Sequence, residues 1–188
     1  MTINPKIFKA YDIRGVYPQD FNEEIAYKIS QAYVKLLNPK KIVLSRDVRN
    51  SGESLFKACV SAFTDAGVDV VDIGIVSTDM FYFAVGTLPV DGGLTISASH
   101  NPKEWNGMNF CKKNAEPMSL QTGLSDIRDV LLKGTTLIKS ARLGNVEKKD
   151  VTDDFLKSVM SFVDPKKILP KKIVANANFG VDVVLLNR

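Results

Sequence analysis

The chain has 188 residues, 45% of them apolar and 24% charged, with 12 Gly and 8 Pro, shares that exclude a disordered or fibrous protein. That length holds one domain of usual size plus roughly forty residues, and leaves no room for two large domains. The formal charge of +4 comes from dispersed Lys and Arg, a balance that suits a small phosphorylated ligand; without a recognition motif or basic stripe, no nucleic-acid partner is expected.

From Phe21 onward, Ile25, Ile29, Ala32, Tyr33 and Leu36 recur at helical spacing behind a capping Asn22, and Pro39 ends the helix. Ile42-Val43-Leu44 reads as a buried strand, followed by a polar turn from Ser45 to Gly52. Leu55, Ala58, Cys59, Ala62 and Phe63 form the next helical stripe, closed by Gly67. Val68 to Ile73 reads as a strand, Ser77 opens a helix through Val85, and Gly92 to Ile96 reads as a strand running into a polar loop. Met108 to Cys111 gives a further short strand, and Ser119 to Leu132 a capped helix ended by Gly134. A helix from Thr152 to Val163 then leads through Pro165 and Pro170 to an apolar strand, Ile173-Val174-Ala175.

Strands alternating with helices predict an α/β fold, a three-layer α/β/α sandwich on a mainly parallel mixed sheet. Residues 1–140 are expected to form that domain, 141–170 a linker and connecting helix, and 171–188 the truncated start of a second domain. Cys59 and Cys111 show neither CxxC spacing nor a disulfide framework, which points to a reducing compartment, the cytoplasm. No run of about 18 apolar residues occurs and the N-terminus lacks a signal-peptide layout, so no membrane is expected.

Ser97-Ala98-Ser99-His100-Asn101-Pro102 follows directly on a predicted buried strand, where ligand sites of open α/β sheets lie. A serine there, beside the chain's single histidine, is either a nucleophile activated by a base or part of a turn that Ser, Asn and Pro shape. Adjacent residues rarely form a Ser-His pair of usable geometry, and spacing alone leaves both readings open.

The wording of three segments goes further. Thr95 to Pro102, with Asn106-Gly107 after it, closely resembles the active-site loop of the alpha-D-phosphohexomutases, the family of phosphomannomutase and phosphoglucomutase. Phe8-Lys9-Ala10-Tyr11-Asp12-Ile13-Arg14-Gly15 is similar to that family's opening signature, with Lys9 where Arg is commoner. Ser45 to Gly52, containing Arg46, Asp47 and Arg49, resembles its arginine-containing turn, with Ser45 where Gly is usual.

The resemblance runs over about residues 6 to 180 and implies isomerisation of hexose 1-phosphates and 6-phosphates of mannose or glucose. The route it implies passes through hexose 1,6-bisphosphate, with magnesium bound at a phosphoserine. Ser99 matches the serine that carries the phosphoryl group, and through its phosphate it meets the metal. Arg14 and Tyr11 match residues beside it, and Arg14 has the fork geometry for phosphate oxygens. His100 and Asn101 match positions whose hydrogen bonds shape the loop, while Arg46, Asp47 and Arg49 look like its supporting network, Arg46 foremost.

Three departures accompany the match. No Asp-Gly-Asp-x-Asp-Arg segment, the family's magnesium loop, occurs in the chain. Asn109 stands where many members carry a lysine suited to proton transfer, which an amide cannot perform; on a strand Lys112 faces the other way, and Lys113 lies roughly 13 Å further along. Val174 to Gly180 resembles the start of a second domain, yet the pattern fades from Val181. The expectation is a phosphohexomutase first domain that is incomplete for turnover alone, the alternative being a non-catalytic or partner-dependent fragment that keeps the phosphoserine loop and relies on a polypeptide supplying the missing domains.

Overall fold

The computed structural model describes residues 3–134, 137–177 and 180–181. Six strands form one sheet: β1 (Ile13–Val16), β2 (Lys41–Arg46), β3 (Asp69–Ile75), β4 (Gly92–Ile96), β5 (Trp105–Lys112) and β6 (Val146–Lys148), in the order β1-β5-β4-β2-β3-β6. β4, β2, β3 and β6 run parallel, whereas β5 is antiparallel to both β4 and β1. The mainly parallel mixed sheet follows from the helical crossovers, which return each following strand in the same direction.

The helices are α1 (Glu23–Leu37), α2 (Gly52–Asp65), α3 (Thr78–Thr87), α4 (Leu124–Leu132) and α5 (Thr152–Met160). Asn22 caps α1 by accepting from the Ile25 N–H at 3.1 Å, and Asn38 closes it at φ 46°. Strand alternation sends Ile42, Leu44, Leu94 and Phe110 into one core with Ile29 and Tyr33 of α1, Leu55 and Phe63 of α2 and Ile127 of α4. Val43, Val71 and Cys111 point the opposite way, onto Phe81 and Val85 of α3. Helices therefore cover both faces, and the three-layer sandwich is as expected. Tyr33 anchors the larger core: its ring stacks on Phe110 at 5.7 Å, and its hydroxyl donates to the Cys111 carbonyl at 2.9 Å.

Four expectations are corrected. Residues 119–132 are not one helix, because Gly123, at φ 139°, separates a 3₁₀ turn at Leu120–Thr122 from α4. α5 stops at Met160, short of Val163, and the chain turns into a 3₁₀ segment at Pro165–Lys167. Ile173-Val174-Ala175 forms no strand: Ile173 and Val174 are 80% and 90% exposed, and an apolar run becomes a strand only where another edge takes its hydrogen bonds. The stretch 141–170, expected as a linker and connecting helix, holds α5 but also supplies β6 to the sheet, and its Val151 and Phe155 pack on the core beside α3. Asn178, Phe179 and residues 182–188, where the fading second-domain pattern falls, lie outside the described residues. Among the described residues no helix is long and apolar enough to cross a membrane.

Candidate active site

Parallel pairing of β2 with β4, Arg46 opposite Ile96, places the loops that follow them side by side at one end of the sheet. The loop after β4 carries Ser97 to Glu104, and the turn after β2 carries Asp47 to Ser51. β5 begins at the same end and brings β1 with it, Arg14 opposite Gly107. An open cleft of about 900 Å³ results, with Asp47, Arg49, Ser99, His100, Lys103 and Glu104 on its walls.

Ser99 sits in the left-handed region at φ 52°, a conformation that costs a non-glycine residue energy and persists only where its surroundings impose it. Those surroundings are explicit. The Ser99 N–H donates to Ser97 Oγ at 2.9 Å, the Ser97 N–H donates to the Gly107 carbonyl at 3.1 Å, and the Asn101 N–H closes a turn on the Ala98 carbonyl at 3.0 Å.

Arg49 supplies the rest. Its Nη2 donates to the carbonyls of Ser99 (2.8 Å) and Asn101 (2.6 Å), and its Nη1 to those of Pro102 (2.6 Å) and Trp105 (3.0 Å). Nε donates to Asp47 Oδ2 at 3.2 Å, so all the N–H groups of a guanidinium are engaged. Asp47 is fixed in turn, its Oδ1 accepting from the Arg49 N–H at 3.0 Å. Backbone carbonyls are thereby drawn inward, while the Ser99 side chain stays exposed to the cleft.

Arg14 reaches the loop from the other side. Its Nη1 donates to Asn101 Oδ1, and its Nε donates to Asp12 Oδ2 at 2.7 Å. Asp12 is buried. Both arginines thus arrive with a carboxylate two residues earlier, Asp12-x-Arg14 and Asp47-x-Arg49, each joined by a salt bridge. The loop is gripped by two charge-balanced pairs.

The remaining candidates divide. His100 Nδ1 lies 2.9 Å from Ser99 Oγ. Tyr11 is 76% exposed on the bend before β1. Arg46 stands apart from the cleft: among the described residues its guanidinium bonds only the Asp47 carbonyl, at 3.3 Å, and it lines a separate groove with Glu53, Phe56 and Lys57 along α2. Asn109 pairs with Thr95 inside the sheet, while Lys112 lies opposite Gly92 at the far end of β4 and bonds Glu116 at 3.3 Å. Among the described residues no three His, Cys, Asp or Glu side chains group closely enough to hold a metal.

Several contributors have no role assigned to them from the sequence. Asn106, fully buried, donates to Ser51 Oγ at 2.9 Å and ties the two loops together. Gly107 permits the approach of β1, since a Cβ there would stand 2.0 Å from the Ile13 carbonyl oxygen. The repeated Asp-x-Arg spacing was the available signal for Asp12; for Ser97 and Ser51 there was none.

The family model for phosphoglucomutase/phosphomannomutase, alpha/beta/alpha domain I, matches residues 5–136. A phosphomannomutase of Escherichia coli is 42% identical over 175 residues, 92% of this chain and 38% of its own length. One from Klebsiella pneumoniae is 51% identical over 121 residues, 64% of this chain and 77% of that protein. The crystal structure of a phosphoglucomutase/phosphomannomutase family protein from Burkholderia thailandensis has a TM-score of 0.75 at 29% identity, covering 87% of this chain and 37% of that one. The chain therefore spans less than two fifths of the length of the Escherichia coli relative, and it belongs to the phosphoglucomutase/phosphomannomutase family.

Proposed function

We propose that the chain is the phosphoryl-carrying first domain of a phosphohexomutase, with Ser99 Oγ passing the phosphoryl group to and from a mannose or glucose phosphate by way of the hexose 1,6-bisphosphate. The observation that carries this reading is Ser99 itself, held at φ 52° by bonds to its own N–H and C=O while its hydroxyl faces the cleft. Preorganisation of this kind is what phosphoryl transfer asks of a protein, since positioning and charge neutralisation provide most of the catalysis.

The chain's residues have separate tasks in this account. Arg49 and Asp47 fix the loop backbone, Arg14 and Asn101 hold its outer edge, and Tyr11, exposed on the bend before β1, is assigned to the sugar. Magnesium does not fit these residues as a complete site. The described part offers a cation no carboxylate cluster, only the oxygens of Ser99 or its phosphate, so the reading assigns the metal's carboxylates to another domain or polypeptide. The exposed Phe162, Ile168, Leu169, Ile173 and Val174 support an entry into such a domain along 171–188. Both cysteines are free and buried, which fits a protein working in the cytoplasm.

Reconstitution tests the reading. The chain mixed with or fused to the later domains of a family member is expected to convert glucose or mannose 1-phosphate into the 6-phosphate, and the chain alone is not. Turnover that survives Ser99→Ala overturns it.

A further inference from the structure

Successive side chains of an extended loop point to opposite sides. The left-handed φ of 52° at Ser99 breaks that alternation and turns two neighbours toward each other, Oγ to Nδ1 at 2.9 Å. The proximity that sequence adjacency rarely gives is therefore built by the backbone, and the backbone is held by Arg49. Both side chains are exposed to the cleft. The other charged groups on its walls are Asp47 and Arg49, which are bonded to each other, and Lys103 and Glu104.

We propose that His100 is the base that takes the Ser99 hydroxyl proton during phosphoryl transfer. With its ring neutral and the hydrogen on Nε2, the Nδ1 lone pair accepts the Oγ–H. The Oγ electron pair attacks phosphorus as the Oγ–P bond forms, and the bond from phosphorus to the sugar oxygen breaks. That oxygen leaves with the bonding pair and takes a proton from solvent, while Nδ1 holds the serine proton until it exchanges with water. In the return step a sugar hydroxyl attacks phosphorus and gives its proton to solvent as the new O–P bond forms, the Oγ–P bond breaks with its electron pair on Oγ, and His100, protonated again from water, gives a proton back to Oγ. This inference rests on reading Ser99 as the nucleophile.

The test uses a small electrophile that needs no sugar site. p-Nitrophenyl acetate attacked by Oγ loses nitrophenolate with its bonding pair and leaves an acetyl ester on the serine, which peptide mapping locates. The 188-residue chain is expected to acetylate at Ser99 about a hundredfold faster than His100→Asn, which keeps a hydrogen-bonding group near Nδ1 but accepts no proton. Added imidazole is expected to restore about tenfold or more to His100→Ala. Equal rates in wild type and His100→Asn, a wild type that does not label Ser99, or a slow His100→Ala that imidazole leaves slow each overturn the proposal. Charging with glucose 1,6-bisphosphate is measured in parallel: acetylation that depends on His100 without charging supports the base and counts against the mutase reading alone.

Discussion

Arg49 holds the carbonyl of Ser99, not its hydroxyl: Nη2 donates to that oxygen at 2.8 Å and to the Asn101 carbonyl at 2.6 Å. An arginine beside a serine proposed to carry a phosphate invites the role of phosphate ligand, yet here its donors are consumed by the loop itself. Its side chain is 11% exposed, so the guanidinium itself is largely shielded from water. Arg49→Ala is expected to cost about 3 kcal/mol of stability, because Asp47 is left with an unpaired charge. Arg49→Lys, a point charge with three donors, is expected to keep part of that stability while slowing Ser99 phosphorylation at least about tenfold. Urea unfolding and phosphate incorporation by mass together check it.

Arg46 provides the contrast. With one side-chain bond of 3.3 Å among the described residues and a place along α2, it is expected to affect charging of Ser99 far less than Arg49 does when each is changed to Ala. Rates of phosphate incorporation for the two variants, compared side by side, decide the order.

Gly107→Ala is expected to be the most damaging of the small substitutions near the site. Its Cβ would meet the Ile13 carbonyl oxygen at 2.0 Å, backbone against backbone, and β1 must move off β5 to relieve it. Since β1 carries Arg14, the bond to Asn101 goes too. A loss of about 3 kcal/mol or more is expected, read from the shift in urea midpoint.

Burial pushes the Cys59 and Cys111 thiols up to about 12, from an ordinary value near 9. Between those values the folded chain holds protons that the unfolded chain has released, so stability is fully present below about pH 9 and is lost as pH rises through about 12. Neither thiol is expected to react with Ellman's reagent at pH 8 until denaturant opens the fold, and unfolding curves taken at rising alkaline pH check the direction.

The features legible in sequence were those with a period or a punctuation mark. α1 was marked by Asn22 and a helical stripe, and β4 by a glycine pair and an apolar run before a polar loop. β1 escaped because Ile-Arg-Gly-Val is short, with half its residues outside the core, and β6 because all of Val146-Glu147-Lys148 are exposed on an edge. Both are strands only because a neighbour offers them an edge. The serine loop was visible from its place after a buried strand. The family resemblance pointed to Arg49 as loop support, but the form of its clamp was not legible, since its acceptors are backbone carbonyls, which every residue has and no sequence pattern distinguishes. The contact between Ser99 and His100 was hidden for a related reason: it depends on one positive φ at a serine.

The most direct measurement is site-localised mass spectrometry of the chain after incubation with glucose 1,6-bisphosphate and magnesium, alongside Ser99→Ala. A single phosphate on Ser99, absent from the variant, is predicted. A phosphate on any other residue, or a wild type indistinguishable from Ser99→Ala, would contradict the assignment of Ser99 as the phosphoryl carrier.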